Sequence, residues 1–448
     1  MRTCWRDVER RQVEWVYDRS LISGPLPWIV AALAVIGALW LLFGAAGNTL
    51  RYRRRVIPLC ATVAVGLTAL GWVVVEKWWR PFPDPVELQV YVWIGCGLFA
   101  ILLTAVRLVT DRRAARAVAS VLGAVAVVAV AAVQVNHVFD AYPTVRDALG
   151  LPAANAIAFD DVPPPVTDPV VGTPLEAGWT APADLPAGGR VVTVAIPGTV
   201  SGFAARDAEI YLPPAYFADP RPELPVLVLL AGQPGSPGDW FAGGKLAATM
   251  DEFASRHGGL APIVVVADGT GSTLANPLCL DSKLGNVATY LATDVPAWVK
   301  ANLQVDPDPR RWAIGGLSYG GTCALQMATN HPEVYPTFLD LSGQLEPTLG
   351  DRQRTVDAAF GGDQAAFTAV NPMDLMATRT YPGSAGVFVV GSDDHEFSPG
   401  VHSLYAAAGK AGMDVQLQQL PGGHSFAVWS AGLADNLDWL SRRMGLIS

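Results

Sequence analysis

Residues 315–321 read GGLSYGG, one serine among four glycines. A G-x-S-x-G pattern is the residue set of a nucleophile held on a sharp strand-to-helix turn, where the flanking glycines leave room for a strained backbone. In a glycine-rich chain the same pattern also fits a flexible loop. A serine hydroxyl is a weak nucleophile until a base takes its proton, and that base needs a third group to orient it. Downstream, GSDDHEF (391–397) supplies two adjacent aspartates and PGGHSFAVW (421–429) supplies a histidine beside two glycines. The order Ser, acid, His is that of an α/β-hydrolase. His424 is the base that this order favours; His137, His257, His331, His395 and His402 stand at the edge of an apolar run, at helix ends or just after the acid loop. Asp394, three residues after Gly391, is preferred as the acid, with Asp393 the alternative that would face solvent or cap a helix. An oxyanion needs two backbone N–H donors. Tyr319, next after the nucleophile, is one candidate, and Gln233, after the strand-like LPVLVLLAG, is the other.

The elements that must position these groups are legible as alternating patterns from Arg190 onward. RVVTVAI, DAEIYLP, LPVLVLLAG, APIVVVADG, RRWAIGGLS, PTFLDLSG, GVFVVGSDD and DVQLQQLPGG read as strands, with amphipathic stretches between several of them. PVLVLLA, PIVVVA and GVFVV are nearly continuous apolar runs, as strands are when both faces of a parallel sheet are covered. Residues 190–448 are therefore expected to form one α/β domain with a mostly parallel sheet. In such sheets ligands bind beyond the carboxyl ends of the strands. Ser318 falls there, between WAIGGLS and the helix-like GTCALQMATNHPE.

The first third has a different character. The chain is 51% hydrophobic and only 16% charged, too apolar for an ordinary soluble protein of 448 residues. Four uncharged runs, 27–46, 57–75, 88–106 and 117–135, each match the thickness of a bilayer core as a helix. Four full-length runs are not a cleaved signal peptide. RYRRR (51–55) and DRRAAR (111–116) place the first and third loops in the cytoplasm by the positive-inside rule, whereas EKWWRPFPDPVE (76–87) is mixed in charge. The chain after residue 135 then emerges on the extracytoplasmic side of the plasma membrane. With no ionisable residue at their centres, the spans read as an anchor. Residues 1–146 are thus expected to be an all-α four-helix transmembrane domain, and the Pro-rich 147–189 a semi-extended spacer.

Composition also excludes functions. Residues 1–146 carry 16 Lys and Arg against 9 Asp and Glu, and the remainder carries 15 against 31. So acidic a second part repels phosphate backbones, and neither zinc-finger spacing nor a Walker lysine is present, which reads against nucleic acid and nucleotides. The five cysteines fit no metal-ligand spacing. No metal and no cofactor is expected.

Residues 315–347, DVPAWVKANLQV (294–305) and GGHSFAVW (422–429) resemble the Putative-esterase family of α/β-hydrolases, which includes esterase D and the mycolyltransferases of actinobacterial cell envelopes. The resemblance covers roughly residues 190–448. It implies acyl transfer through a serine acyl-enzyme, with Ser318, Asp394 and His424 as triad and the Gln233 and Tyr319 amides as oxyanion hole. Water is the acceptor in the esterases; trehalose or arabinan is the acceptor in the mycolyltransferases, which use Glu where this chain has Asp and are secreted rather than membrane-bound. On the extracytoplasmic side Cys279 and Cys323 could form a disulfide, or remain two buried thiols. The reading is a membrane-anchored serine esterase or acyltransferase acting on acyl esters of envelope lipids or glycolipids, with transfer to a sugar slightly favoured over hydrolysis. The alternative is a non-catalytic α/β-hydrolase-fold scaffold whose membrane helices bind a partner.

Overall fold

The computed structural model describes residues 16–44, 49–82, 84–111 and 113–448. The chain divides into two compact units, Met1–Leu151 and Pro152–Ser448. The N-terminal tail to residue 15 and the last two residues of the first expected span lie outside the described residues.

Four helices of the first unit are long and apolar enough to cross a membrane. They are α1 (Pro25–Phe43), α2 (Ile57–Val73), α3 (Leu88–Thr110) and α4 (Ala114–Phe139). Short π-helical stretches, Tyr52–Val56 and Val74–Trp79, continue α2 at both ends, so RYRRR belongs partly to a helix rather than to a loop. Helices α1 and α4 meet glycine to glycine: a Cβ on Gly37 would stand 2.6 Å from the Gly123 carbonyl oxygen. Small residues allow this backbone approach, which matters where lipid removes the hydrophobic drive for helix association. The third helix outruns its expected end at 106 because Arg107 has somewhere to go. Its Nη1 donates to the carbonyls of Trp40 (2.9 Å) and Leu41 (2.7 Å) in the last turn of α1, where the Gly44 amide (2.8 Å) also donates to Trp40 and the Tyr52 hydroxyl (2.9 Å) to Leu41. An apolar-run criterion stops at the arginine; the helix does not.

The second unit is built on a nine-stranded sheet. Its strands are β1 (Ala156–Ile157), β2 (Arg190–Val194), β3 (Ala208–Leu212), β4 (Val226–Leu230), β5 (Ile263–Ala267), β6 (Trp312–Leu317), β7 (Thr337–Leu341), β8 (Ala385–Gly391) and β9 (Asp414–Leu420). The spatial order is β1-β2-β3-β5-β4-β6-β7-β8-β9. Only the β2–β3 and β3–β5 pairings are antiparallel. The central strands β4, β5, β6, β7 and β8 are buried at every position, which explains why they read as unbroken apolar runs. This is an α/β-hydrolase-like arrangement with a mostly parallel sheet.

The spacer expected over 147–189 differs from what is observed. Ala156–Ile157 adds a strand to the sheet, and the prolines that follow lie along the α/β unit. The N–H groups of residues between those prolines find acceptors there: Val166 donates to Gln304 Oε1 (2.7 Å), Val170 to the Arg221 carbonyl (2.8 Å) and Leu175 to the Gly445 carbonyl (3.0 Å). Leu175 is buried. A proline-rich strap has neither a helical nor a strand period, so sequence pattern cannot separate a docked one from a free one.

Candidate active site

Ser318 stands between β6 and the helix α5 (Tyr319–Asn330) with φ 53° and ψ −117°. Few non-glycine residues adopt such a backbone, and it is kept only where the surroundings over-determine it. Here they do: a Cβ on Gly316 would lie 2.3 Å from the Gly320 backbone, and one on Gly320 would lie 2.2 Å from the Leu230 carbonyl oxygen. Both glycines of the motif are required for the turn to close against β4. The Ser318 amide donates to the Leu341 carbonyl (2.8 Å).

The three residues singled out as triad converge. His424 Nε2 is 2.9 Å from Ser318 Oγ, and His424 Nδ1 is 2.8 Å from Asp394 Oδ2. With a carboxylate beside Nδ1, that nitrogen carries the proton and Nε2 accepts from the serine. Asp394 is 4% exposed, and its other oxygen accepts from the Phe397 amide (3.2 Å). Asp393 is exposed, and its amide donates to the Gly422 carbonyl. Acid and base loops approach closely because β8 ends in glycine: a Cβ on Gly391 would meet the Gly422 carbonyl at 2.3 Å.

Two aromatic contacts on the base were not anticipated. The Phe397 ring stacks on His424 at 3.8 Å between centroids and 17° between planes, and Trp429 meets it edge-on at 4.8 Å. An imidazole so confined keeps its orientation. Phe397 lies three residues after the acid and Trp429 five after the base, spacings that carry no rule, so only the fold reveals them.

The two candidate oxyanion donors flank the serine. Tyr319 opens α5, where an N–H has no acceptor within the helix. The turn after β4 lies against the nucleophile: a Cβ on Gly232 would be 3.6 Å from Ser318 Cβ, and Gln233 follows. The Tyr319 hydroxyl is buried, which pushes its pKa up; it donates to the Gly269 carbonyl and accepts from the Cys279 amide, both at 3.0 Å. Cys279 and Cys323 are disulfide-bonded, with Cα atoms 5.5 Å apart, joining this loop to α5. Among the described residues no group of three or more His, Cys, Asp or Glu side chains could hold a metal ion.

Carboxylates lie behind the turn that follows β4: a Cβ on Gly235 would stand 2.8 Å from Asp239 Oδ2, and one on Gly238 2.9 Å from Glu209 Oε1. Burial, and next the Asp239 carboxylate, push Glu209 from 4.5 up to about 6. Between about pH 4.5 and 6 the folded chain keeps a proton that the unfolded chain has lost, so stability falls as pH rises through that window. A rise of that size corresponds to about 2 kcal/mol at full ionisation. Glu209→Gln is expected to raise the unfolding temperature at pH 7–8 and to leave it nearly unchanged at pH 4; a larger gain at pH 4 than at pH 7 would contradict the assignment.

Comparison with known proteins bears on the fold and the family. The family model described as Putative esterase matches residues 204–440. An uncharacterized protein of Corynebacterium glutamicum is 42% identical over 438 residues, 95% of this chain and 98% of its own, so the likeness reaches across both units. A diacylglycerol acyltransferase/mycolyltransferase of Mycobacterium leprae is 39% identical over 62 residues, 14% of this chain and 18% of that protein. Among solved structures, a ferulic acid esterase superimposes with a TM-score of 0.50 at 19% identity, covering 57% of this chain and 98% of the esterase; at that identity the likeness shows the fold.

Proposed function

The chain belongs to the Putative-esterase family, and from that premise we propose that it is a membrane-anchored serine acyltransferase or esterase acting on acyl esters of envelope lipids or glycolipids. The observation that carries the proposal is the unbroken hydrogen-bonded line from Asp394 through His424 to Ser318 on a strained turn. In the reaction, Ser318 Oγ attacks the ester carbonyl carbon while His424 Nε2 takes the hydroxyl proton. The carbonyl oxygen becomes an oxyanion, held by the Gln233 and Tyr319 amides; each such donor contributes on the order of 10²–10³ in rate. Collapse of the tetrahedral intermediate breaks the ester C–O bond. His424 gives its proton to the departing alcohol, leaving an acyl group on Ser318. An acceptor hydroxyl, from a sugar or from water, then repeats these steps in reverse, with His424 again the base.

Four apolar helices before the catalytic unit support anchoring in the plasma membrane, and the arginines at 51–55 and 111–116 support a catalytic unit on the extracytoplasmic side. The 62-residue likeness to a mycolyltransferase and the proposed location favour a sugar acceptor over water. The test is product analysis by mass spectrometry, with purified full-length protein, a long-chain acyl ester donor, and trehalose present or absent. Acyl-sugar in the presence of trehalose is the expected product. Free fatty acid alone, at an unchanged rate in both, would replace transfer by hydrolysis; no product from the folded protein would overturn the enzymatic reading.

A further inference from the structure

We infer that the Arg206–Asp268 ion pair is a positioning pair for the oxyanion site, fixing the separation of its two amide donors through residues 268–274; this inference rests on the serine acyl-transfer reading above.

Asp268 follows β5 at the carboxyl edge of the sheet and is 1% exposed. Both carboxylate oxygens are fully used. One accepts from the Arg206 amide (2.7 Å), from Arg206 Nε (3.1 Å) and from the Gly271 amide (3.0 Å). The other accepts from Arg206 Nη2 (2.8 Å) and from the amide (3.1 Å) and hydroxyl (3.0 Å) of Thr270. Burial pushes the Asp268 carboxyl up, and its hydrogen bonds from Arg206 more than offset this, leaving it below the ordinary range.

The bonds leaving this knot reach both donors. Arg206 Nη2 also donates to the Gly235 carbonyl (3.0 Å). Gly235 closes the turn that carries Gln233, packed so tightly that a Cβ on it would stand 2.5 Å from the Gly232 carbonyl oxygen. The same turn is tied to the far end of the segment, by the Gly235 amide on the Thr273 carbonyl (3.1 Å) and by Gln233 Nε2 on the Leu274 carbonyl (3.0 Å). At the near end, the Gly269 carbonyl accepts from the hydroxyl of Tyr319, whose own amide is the second donor. One segment therefore grips the Gln233 turn at 273–274 and Tyr319 at 269, and the ion pair sets its shape between those points. Oxyanion donors act only within about 2.7–3.1 Å of the developing charge, and a displacement near 1 Å costs on the order of 10² in rate. The pair acts on the donors through this segment, so its effect is expected on the transition state.

The test uses full-length protein in detergent, with active sites titrated to completion by a fluorophosphonate, so that turnover is expressed per competent Ser318. Arg206→Lys and Asp268→Asn are expected to lower kcat per titrated site about 10- to 100-fold with KM within about threefold. Inhibition by an alkyl trifluoromethyl ketone, which adds to the serine as a tetrahedral oxyanion, should weaken by a similar factor. Thr270→Val keeps the ion pair and removes the hydroxyl that donates to Asp268 (3.0 Å) and accepts from Arg206 Nη2 (2.7 Å), and a severalfold loss in the same direction is expected even if the charge variants do not fold. A purely structural role would lower the titratable fraction and leave kcat per site intact. The inference is overturned by unchanged kcat per site in Thr270→Val and in whichever charge variants fold, by a loss confined to KM, or by undiminished ketone inhibition. A wild type without a titratable serine would instead overturn the underlying reading, and the inference with it.

Discussion

Replacing Ser318 by alanine is expected to lower ester turnover by about 10⁴- to 10⁶-fold while leaving the protein folded. In the proposed mechanism the substitution removes the oxygen that carries the acyl group, together with its hydrogen bond to His424 Nε2. It does not relieve the turn, because φ 53° is imposed by Gly316 and Gly320 packing against β4 rather than by the side chain. Folding is therefore preserved, and the residual rate would be that of an oxyanion site and a bound substrate without a nucleophile. Initial rates on a short-chain nitrophenyl ester, beside thermal unfolding of both proteins, check the prediction. Alanine protein retaining a tenth or more of the activity would remove Ser318 from the mechanism.

The acid gives the second large effect, and it discriminates between neighbours. Asp394→Asn is expected to cost about 10⁴-fold in kcat, whereas Asp393→Asn should remain within a few-fold of wild type. Asp394 accepts from two donors at once, His424 Nδ1 and the Phe397 amide. An asparagine has one carbonyl oxygen and one NH₂ group, so it must present a donor to one of them. If that is the histidine, the ring proton moves to Nε2 and the base can no longer accept from Ser318. Asp393 has no contact with the ring, and its side chain is solvated. Equal losses at both positions, or a loss only at 393, would reassign the acid.

Why Ser318, Asp394 and His424 could be singled out in the sequence while the residues around them could not follows from how each is encoded. Ser318 and Asp394 sit just past the buried strands β6 and β8, and buried parallel strands leave continuous apolar runs that point to their own ends; His424 follows the partly exposed edge strand β9 and is marked instead by its two preceding glycines and its place in the chain order. The glycines at 316, 320 and 391 mark close backbone approaches, another signal visible in one dimension. Arg206 and Asp268, by contrast, are 62 residues apart, and nothing near either announces the other. Phe397 and Trp429 look like ordinary core aromatics until the fold brings His424 between them. The four long apolar helices are legible as apolar runs, but their lengths are not. Arg107 ends a run by composition, yet the helix continues because carbonyls at the end of α1 receive its guanidinium. The strap before β2 was hidden for the opposite reason: proline-rich chain carries no period, docked or free.

The most direct test of the central claim is to treat membranes containing the full-length protein with a fluorophosphonate and to identify the modified peptide by mass spectrometry. The account predicts one adduct, on the peptide carrying Ser318, formed by the native protein and lost after heat denaturation. Folded, accessible protein that forms no adduct, or forms it at another residue, would contradict it.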